Sequence, residues 1–528
     1  MDAEQLRSEG CKVIDIVADY WESMRKRRPL PDVKPGFMNQ LVSAAPPTAP
    51  EDWKTIYEDL EKVVFNPATH WNHPHFFAYF PAGLTYHSIM ADILSSGLSS
   101  VGFSWMACPA ITELEKAMLD WVVELMGLPE HFKNSHPGPG CGIIQSSGSD
   151  SILIAILTAR AAKVIRFLNS KVEEIKSSPS IFQWLPNFSL GKSLYNILNH
   201  NVFNSNTDRP SYDSTDVITP FYHDPRVFQN FVMYFCDQGH SSIEKGAWLA
   251  GVRYRKLKAI KGYLGNYGLD PDALRKAVQE DRDRGYIPFM LIVTVGTTSS
   301  CGIDEIERLT PICKAEGLYV HVDSAYAGSY ALCEENRYLL NGVENVDSYN
   351  TNLHKAGMIN FDCSPMWFKN GTYASRYYNV DAIHLAHEYQ STGTDYRHLE
   401  IPLGRRFRSL KLWFTLRNWG ADKIKDYLRG TMDIAIFFSK IIVEDQKFEL
   451  FVPPILGLCC FRLRNHSNSD NERLCTAINR DRRIHIVPST IHSIFFLRFA
   501  VGSPMTTKED AVHAKKIIFE IANNLFKK

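Results

Sequence analysis

The residues best suited to chemistry lie in the stretch SYNTNLHKAGMINFDC, at positions 348–363. It contains one lysine, Lys355, which follows His354 and precedes small or apolar residues. Burial among such neighbours disfavours the ammonium form and lowers the pKa of a lysine. A neutral amine is a nucleophile towards carbonyl groups. Taken alone, the stretch fits better a surface lysine whose stem covers apolar side chains. Other positions must therefore decide whether Lys355 is a reactive, buried lysine.

A second candidate is the run of small residues from Ser146 to Ser149, which stands immediately before a strongly helical stretch within 141–162. Free backbone N–H groups at a helix start, hydroxyls and a glycine that allows close approach together form a cradle for an anionic group. An ordinary serine N-cap is the alternative, and for this stretch in isolation it is the stronger one.

Beyond residue 231, apolar runs and helical patterns alternate. Strands are predicted over 231–236, 289–295 and 318–322, with helices from Ser241 and from Asp304 to Gly317. Such βαβ units predict a mainly parallel sheet with helices on both faces, and ligands bind at the carboxyl ends of its strands. The polar residues that fall at or beyond strand ends are His240, Thr297, Thr298, Asp323 and Lys355. We therefore expect them to share one site.

The rest of the chain predicts an α/β protein in three parts. They are an N-terminal helical segment that packs in a dimer (1–85), a large α/β domain (86–405) and a small C-terminal α/β domain (406–528). Further helices are expected over 3–28, 51–65, 84–128 with a break at 102–105, 404–419 and 509–526, and further strands over 457–463, 485–487 and 494–500. The polar, aperiodic residues 169–220 predict a surface insertion.

Composition excludes several classes of function. The 528 residues are 45% hydrophobic and 22% charged, which is typical of a soluble globular protein. Lys+Arg and Asp+Glu both number 58, a balance that argues against a nucleic-acid-binding protein. We expect no signal peptide and no membrane span. The eleven cysteines include no C-x-x-C pair and no zinc-site spacing, so we expect reduced thiols in the cytoplasm and no metal.

One small molecule would account for all the candidate positions together. It has an anionic group for the helix start after Ser147, a flat ring for His240, a basic ring nitrogen for Asp323 and an aldehyde for Lys355. Pyridoxal 5'-phosphate has all four features, and a carboxylate beside its nitrogen keeps the ring protonated as an electron sink. Individually, Asp323 could be a helix cap and His240 a loop histidine. Their joint occurrence at strand ends favours the cofactor.

Nearly end to end, the sequence resembles the group II pyridoxal-phosphate decarboxylases, and most closely the aromatic-L-amino-acid decarboxylases. The resemblance rests on the segments PDVKPGFM, HFFAYFP, GFSW, LPEHF, DQGHSSIEK, GTTSSCGID, HVDSAYAGS, NFDCSPMW and DYRHLEIPLGRRFRSLKLWF. It implies a fold-type I homodimer whose site lies at the subunit interface. It also implies conversion of an aromatic or related L-amino acid to the amine and carbon dioxide.

The resemblance also implies roles for individual residues. Lys355 would form the Schiff base, Asp323 would bind the pyridinium nitrogen, and His240 would stack on the ring. The other residues that it places around the cofactor are Ser147, Gly148, Ser149, Thr298, Ala325, Ser348, Asn352 and His354. The substrate pocket would be lined by Tyr79, Phe80, Ala82 and Phe103, with Phe103 reaching across from the other subunit.

Several residues depart from the family pattern. Ala82 replaces the usual threonine near the substrate carboxylate, and Leu353 and Ala356 replace the usual proline and tryptophan around His354-Lys355. His384 stands where the mobile loop normally carries a tyrosine that protonates the carbon left by the carboxylate. Family members without that tyrosine can divert the reaction to oxygen and make an aldehyde, although histidine is itself a competent acid near neutral pH.

Three hypotheses therefore follow from the sequence. The first is a cytosolic, homodimeric decarboxylase of an aromatic or related amino acid, with Lys355, Asp323, His240 and His384 as catalytic residues. The second is an oxidative aldehyde synthase, which would consume oxygen and release hydrogen peroxide. The third is a catalytically impaired relative that retains the cofactor.

Overall fold

The central feature of the fold is a seven-stranded sheet. The computed structural model describes residues 2–177, 225–262, 264–379, 383–390 and 392–526. The strands are Cys141–Gln145 (β1), Phe231–Cys236 (β2), Arg253–Leu257 (β3), Ala259–Lys261 (β4), Tyr267–Leu269 (β5), Ile287–Thr294 (β6), Tyr319–Asp323 (β7), Ser348–Asn350 (β8), Ser364–Phe368 (β9), Phe448–Leu450 (β10), Leu458–Leu463 (β11), Val487–Ile491 (β12) and Ile494–Ala500 (β13). The central sheet has the order β1-β9-β8-β7-β6-β2-β3.

The helices that pack around this sheet and beyond it are distributed along the whole described chain. They are Ala3–Glu22 (α1), Trp53–Leu60 (α2), Tyr86–Leu98 (α3), Pro109–Met126 (α4), Gly148–Ser177 (α5), Pro225–Phe228 (α6), Ser242–Leu249 (α7), Pro271–Asp283 (α8), Ile306–Glu316 (α9), Thr372–Tyr378 (α10), Ser409–Phe414 (α11), Gly420–Ile442 (α12), Asn468–Asp481 (α13) and Lys508–Leu525 (α14). None of the helices in the described ranges combines the length and apolar character that a membrane span requires.

Five neighbouring strands of the sheet, from β8 to β3, run parallel, and β9 runs antiparallel to both of its neighbours. The four inner parallel strands, β2, β6, β7 and β8, are buried on both sides, whereas the edge strand β3 is partly exposed. In β2, for example, Phe231 and Met233 pack towards α5 and α7, whereas Val232 and Tyr234 pack towards α8 and α9. Parallel strands need crossover helices, and those helices cover both faces of the sheet. The predicted mainly parallel α/β architecture is confirmed.

Most predicted elements of the βαβ region lie where the sequence placed them. β2 and β13 have the predicted bounds, and β6 and β7 differ from the prediction by one or two residues at each end. Gly317 ends α9 in the left-handed conformation at φ 65°, which a glycine adopts without strain. The antiparallel pair β1 and β9 and the helices α12 and α13 were not predicted from the sequence.

Two helix predictions need correction. The helix expected over 3–28 ends at Glu22, where Ser23 caps it and a short 3-10 turn follows. The helix expected over 404–419 begins only at Ser409. In the segment before it, Arg405 and Arg408 form buried ion pairs with Glu115 and Asp362. Gly420 does not end the helical region. With φ 81° and ψ 161° it redirects the chain from a π-turn into α12.

The predicted insertion at 169–220 is partly helical. Its first residues, up to Ser177, belong to the 30-residue helix α5. Residues 178–220 lie outside the described part of the chain.

The C-terminal part of the chain forms a second, antiparallel sheet of order β10-β11-β13-β12, packed against α12, α13 and α14. A segment from near the N-terminus joins this unit. The Phe77 N–H donates to the His485 carbonyl at 2.8 Å, and the Ala500 N–H donates to the Phe77 carbonyl at 3.0 Å. The residues that follow Phe77, which include the predicted substrate-binding Tyr79 and Phe80, are therefore held against the C-terminal sheet.

Candidate active site

The candidate site begins with Asp323, the last residue of β7, which is aligned with Thr294 of β6 and Asn350 of β8. The carboxylate is 4% exposed and accepts the Ala325 N–H at 3.1 Å. Among the described residues, no lysine, arginine or histidine forms a salt bridge with it. A buried carboxylate without a cationic partner is destabilising. This strand end therefore suits a ligand that brings its own positive charge.

Lys355 lies in the turn after β8, where its N–H donates to the Asn352 carbonyl at 3.0 Å. Burial lowers the pKa of its amine, and the nearby Asp323 carboxylate opposes that shift. Gly83 packs directly against this turn, since a Cβ at position 83 would lie 2.6 Å from the Lys355 carbonyl oxygen. The absence of a side chain at Gly83 thus brings the neighbouring substrate-pocket segment up to the lysine.

His240 follows β2 and faces the same site. Its Nδ1 accepts the Ser242 N–H at 3.2 Å and lies 2.7 Å from the Ser242 hydroxyl, so the ring proton of the neutral form belongs on Nε2. Loss of solvent around the ring lowers the His240 pKa; Asp323 opposes this shift and Lys355 adds to it. Because both charges act on its pKa, His240 lies near Asp323 and Lys355.

The predicted anion cradle is the start of α5. Gly148 is the first helical residue, and a Cβ there would lie 3.1 Å from the Asn352 amide. The Ser147 hydroxyl accepts the Asp150 N–H at 3.2 Å and donates to the Asp150 carboxylate at 2.8 Å, and the Ser146 hydroxyl donates to the same carboxylate. Ser147 is therefore the helix N-cap. The N–H groups at the start of a helix have no intrahelical partner and remain suited to an anion.

Other predicted cofactor residues surround these groups. The Asn352 N–H donates to the Ala325 carbonyl at 3.1 Å, and its side-chain oxygen accepts the Ser364 hydroxyl at 2.7 Å. These bonds fix the turn before Lys355. His354 is buried and its Nδ1 accepts the Cys363 N–H at 2.9 Å; burial lowers its pKa to about 4. His354 is thus a neutral ring that holds the turn.

Two predicted cofactor residues have different surroundings. Ser348 is fully buried at the beginning of β8, and its hydroxyl is 2.8 Å from His321 Nδ1. Thr298 is exposed in the loop after β6, whereas the Thr297 hydroxyl beside it is buried and accepts the Gly302 N–H at 2.8 Å. Thr297 therefore shapes the loop, and the Thr298 side chain is accessible.

Of the predicted substrate residues, Phe80 lies beside Lys355, with the amine 5.9 Å from its ring centroid. Phe80 stacks on Tyr326 with ring centroids 3.6 Å apart. Tyr79 is 48% exposed and stacks on Trp71 at 5.1 Å, and Ala82 is partly buried. Phe103 is also partly buried, and its carbonyl accepts the Arg397 N–H at 3.2 Å.

Sequence reasoning missed Arg498, which lies on β13 and is 2% exposed. Its guanidinium carbon is 5.0 Å from the Phe80 ring centroid, and Nη2 donates to the Tyr79 carbonyl at 3.3 Å. No carboxylate in the described chain forms a salt bridge with it. Burial lowers its pKa. A single arginine between Leu497 and Phe499 in an apolar strand was the available sequence signal.

The structure does not bring His384 to the other candidates. It lies in the short turn Ile383–Leu385 and is exposed, and it is not among the groups that shift the pKa of Lys355 or His240. Its role as a proton donor therefore stays a prediction.

Comparison with known proteins assigns the family. Residues 35–182 and 219–464 match the model of the pyridoxal-dependent decarboxylase conserved domain. The chain belongs to the pyridoxal-dependent decarboxylase family. Over 529 aligned residues, which cover 100% of this chain and 99% of the relative, it is 38% identical to the aromatic-L-amino-acid decarboxylase of Mus musculus.

Solved structures agree with this assignment. The Oryza sativa TDC with PLP and tryptamine has a TM-score of 0.85 and 29% identity, with 99% of both chains covered. The Rhodiola rosea 4-hydroxyphenylacetaldehyde synthase has a TM-score of 0.81 and 27% identity, again with 99% of both chains covered. The protein is a pyridoxal-phosphate-dependent amino-acid decarboxylase, and the predicted fold class and cofactor are confirmed.

The residues of this chain fit that cofactor. The unpaired carboxylate of Asp323 suits the pyridinium nitrogen, and the Lys355 amine, whose pKa is lowered by burial, suits the aldehyde. The start of α5 beside Asn352 suits the phosphate, and His240 suits the face of the ring. When bound, pyridoxal phosphate accepts the electron pair that the departing carboxylate leaves behind.

Proposed function

We propose that this protein converts an aromatic L-amino acid to the corresponding amine and carbon dioxide. The observation that carries the proposal is the arrangement around Phe80. The Lys355 amine lies 5.9 Å and the Arg498 guanidinium 5.0 Å from its ring centroid. An amino acid needs a group that takes its nitrogen, a cation for its carboxylate and, if aromatic, an apolar wall. Lys355, Arg498 and the Phe80 ring itself supply these three groups within a short distance of one another.

Arg498 is the group that we propose for the substrate carboxylate. Its guanidinium is buried, it forms no salt bridge in the described chain, and charge-assisted pairing of arginine with a carboxylate is strong and directional. The aromatic side chain of the substrate would pack against Tyr79 and Phe80. The exposed Tyr79 ring, which already stacks on Trp71, provides a flat apolar surface.

Proton transfer is proposed for two histidines. The neutral His240 ring carries its proton on Nε2 and can donate it on the exposed side of the site. His384 occupies the loop position at which the family resemblance predicts the acid that protonates the substrate carbon. An imidazole N–H can donate a proton to a carbanion, which suits general acid catalysis.

The relatives favour the amine over the aldehyde as product. The similarity to the mouse decarboxylase, at 38% identity, exceeds the 27% identity to the Rhodiola aldehyde synthase. The retention of Lys355, Asp323 and His240 supports turnover despite the departures at Ala82 and His384.

We also propose that the enzyme is a cytoplasmic homodimer. Apolar side chains of α1 and α3 are exposed in the single chain, and pairing with a second copy would bury them: Leu6, Val13, Ile14, Ile93, Leu94 and Leu98. All eleven cysteines are free thiols, which suits a reducing compartment. Light scattering should give twice the 60.1 kDa chain mass, and a monomer that is fully active would contradict the dimer proposal. Location of the tagged chain by microscopy tests the compartment.

The function is tested by incubating the purified protein and pyridoxal phosphate with dopa, 5-hydroxytryptophan, tyrosine, tryptophan and histidine in parallel. Carbon dioxide, amine, aldehyde and hydrogen peroxide are measured in the same samples. We expect one amine per carbon dioxide from at least one aromatic substrate and no peroxide. Equal amounts of aldehyde and peroxide would identify an aldehyde synthase instead, and no carbon dioxide from any substrate would contradict the proposal.

A further inference from the structure

The carboxylate of Asp395 joins two segments of the chain that are distant in sequence. It is buried, with a side chain 3% exposed. It accepts the Trp105 N–H at 2.9 Å and lies 3.0 Å from His387 Nε2, with Arg397 Nη2 3.3 Å away. We call these four residues, Trp105, His387, Asp395 and Arg397, the Asp395 cluster.

Ring packing reinforces the cluster. The Tyr389 ring lies against the Trp105 ring with centroids 4.7 Å apart. Gly393 packs on the same tryptophan, since a Cβ at position 393 would lie 3.0 Å from the Trp105 Cβ. The loop that contains His387 is therefore bound to Trp105 by a charged hydrogen-bond network and by apolar contact.

Two residues of the cluster, Trp105 and His387, are close in sequence to residues that we propose to face the substrate. Phe103 lies two residues before Trp105, and its carbonyl accepts the Arg397 N–H at 3.2 Å. His384 lies three residues before His387, in the exposed turn that the cluster does not contact. The Asp395 carboxylate thus binds both the segment that contains Phe103 and the loop that contains His384.

We propose that His387 and Asp395 are positioning residues that fix the Phe103 segment and the His384 loop relative to each other. The inference rests on the proposed decarboxylase function. His384 can protonate the substrate carbon only if its loop is held at a defined distance from the substrate, and the family resemblance places Phe103 in the wall of the substrate pocket across the subunit interface. Because one carboxylate holds both segments, the position of the wall and the position of the acid are set together.

The contact between His387 and Asp395 is well suited to this task. The two side chains are 7% and 3% exposed, so water does not compete for the hydrogen bond. A second bond, from His387 Nε2 to the other carboxylate oxygen at 3.1 Å, limits rotation of the ring. The two bonds therefore give the His387 side chain, and the loop that carries it, a defined orientation.

The test compares His387→Leu, which removes the donor, with His387→Gln, whose amide can still donate to Asp395. Asp395→Asn keeps the shape of the acid and removes its charge. Glu388→Gln is the matched control, because Glu388 is an exposed acid on the same loop outside the cluster. Cofactor absorbance and thermal unfolding show which variants fold and bind pyridoxal phosphate. If Asp395→Asn fails to fold, the two His387 variants decide the question.

The first readout is amide hydrogen exchange of the holoenzyme. His387→Leu should accelerate exchange in 383–390 by about threefold or more, and Asp395→Asn should accelerate it in both 383–390 and 102–107. Glu388→Gln should change neither segment. Unchanged exchange in His387→Leu, or loosening of only one segment in Asp395→Asn, would overturn the proposal.

The second readout is the product. His387→Leu should lower kcat about tenfold with little change in KM and should raise the ratio of aldehyde to amine, and His387→Gln should restore both values. A merely structural role would lower turnover without a change in this ratio, and that result would overturn the proposal. If the wild-type enzyme makes no amine, the proposed function has failed. The exchange measurements then still decide whether the two segments are joined.

Discussion

The amine nitrogen of Lys355 lies 5.9 Å from the ring centroid of Phe80, although the two residues are far apart in the sequence. At this distance the ring attracts an ammonium group only weakly, so the contact offsets little of the effect of burial. The lysine pKa is consequently lowered, and Asp323 is the carboxylate that opposes the shift. A larger fraction of neutral amine than in free lysine follows, which is the form that reacts with an aldehyde.

Replacement of Lys355 should eliminate covalent cofactor binding. Lys355→Ala and Lys355→Arg should both lose the pyridoxyl adduct that borohydride traps on the wild-type protein, and kcat should fall by at least about a thousandfold. Lys355→Arg is the matched control for charge, because an always-protonated guanidinium cannot attack the aldehyde. Mass spectrometry of the peptide that contains residue 355 makes the measurement. An adduct that persists on another lysine would remove Lys355 from this role.

Replacement of Arg498 should weaken binding of the amino acid and not of the amine. In Arg498→Lys we expect KM for the amino acid to rise about tenfold or more, because a lysine cannot pair with a carboxylate through two parallel bonds. Inhibition by the product amine, which lacks the carboxylate, should stay unchanged. Arg462→Lys is the control, since Arg462 lies on the neighbouring strand β11 and faces Glu449 instead. Equal weakening of amino acid and amine would show that Arg498 acts only through the fold.

The side chain at position 384 should set the product. His384→Phe cannot donate a proton, so the fraction of aldehyde and peroxide should rise and the rate of amine formation should fall by a factor of about a hundred. His384→Tyr restores the residue that the family resemblance predicts and should return the product to amine. Simultaneous assays of amine and peroxide measure the ratio. If His384→Phe leaves the amine yield unchanged, another group delivers the proton.

Acid should destabilise the folded protein through His73. Burial and the neighbouring His75 lower its pKa to about 4 from the ordinary 6.5. The unfolded chain therefore binds a proton that the folded chain does not, between about pH 6.5 and pH 4. The contribution of His73 to the free energy of unfolding is fully present above pH 6.5. It is lost as the pH falls towards 4, and the loss is about 1–3 kcal/mol.

The structure gives the reason for the His73 shift. The ring is buried, and its Nδ1 atom accepts the His75 N–H at 3.0 Å, a bond that a protonated Nδ1 cannot accept. The Arg27 carbonyl, 3.1 Å from Nε2, opposes the shift. His73→Gln should flatten the fall in the free energy of unfolding between pH 6.5 and 4. His492→Asn, at an exposed position, is the control and should leave it unchanged. Urea denaturation at several pH values makes the measurement, and equal slopes for wild type and His73→Gln would contradict the assignment.

The parts of the fold that could be predicted from the sequence are those with a local signal. β2 is a continuous apolar run bounded by polar residues, and α9 ends at a glycine. β1 was missed because its short apolar run adjoins a helix, and its partner β9 lies far away in sequence. The start of α13 was detectable, since Ser467 and Asp470 form a capping box, a pattern that sequence reasoning can recognise.

In the site, too, the residues that could be predicted are those with a local sequence signal. Asp323, His240 and Lys355 follow strands, and the geometry of parallel sheets brings strand ends together without further information. Arg498 could not be assigned to the site in this way, because its contact with Phe80 depends on how the C-terminal sheet packs on the N-terminal segment. His384 lies in an exposed turn, away from the strand ends whose geometry brings the other candidates together, so no local pattern assigns it to the site.

The bonds from Phe77 to His485 and Ala500 carry a consequence for synthesis of the enzyme. The ribosome makes Lys355 and Asp323 well before it makes β13, so a nascent chain can fold its central sheet while the pocket still lacks Arg498 and the surface that holds Tyr79 and Phe80. Translation products that stop short of residue 485 could retain the lysine and yet have no complete place for a substrate. We therefore expect activity only from chains that extend through β13.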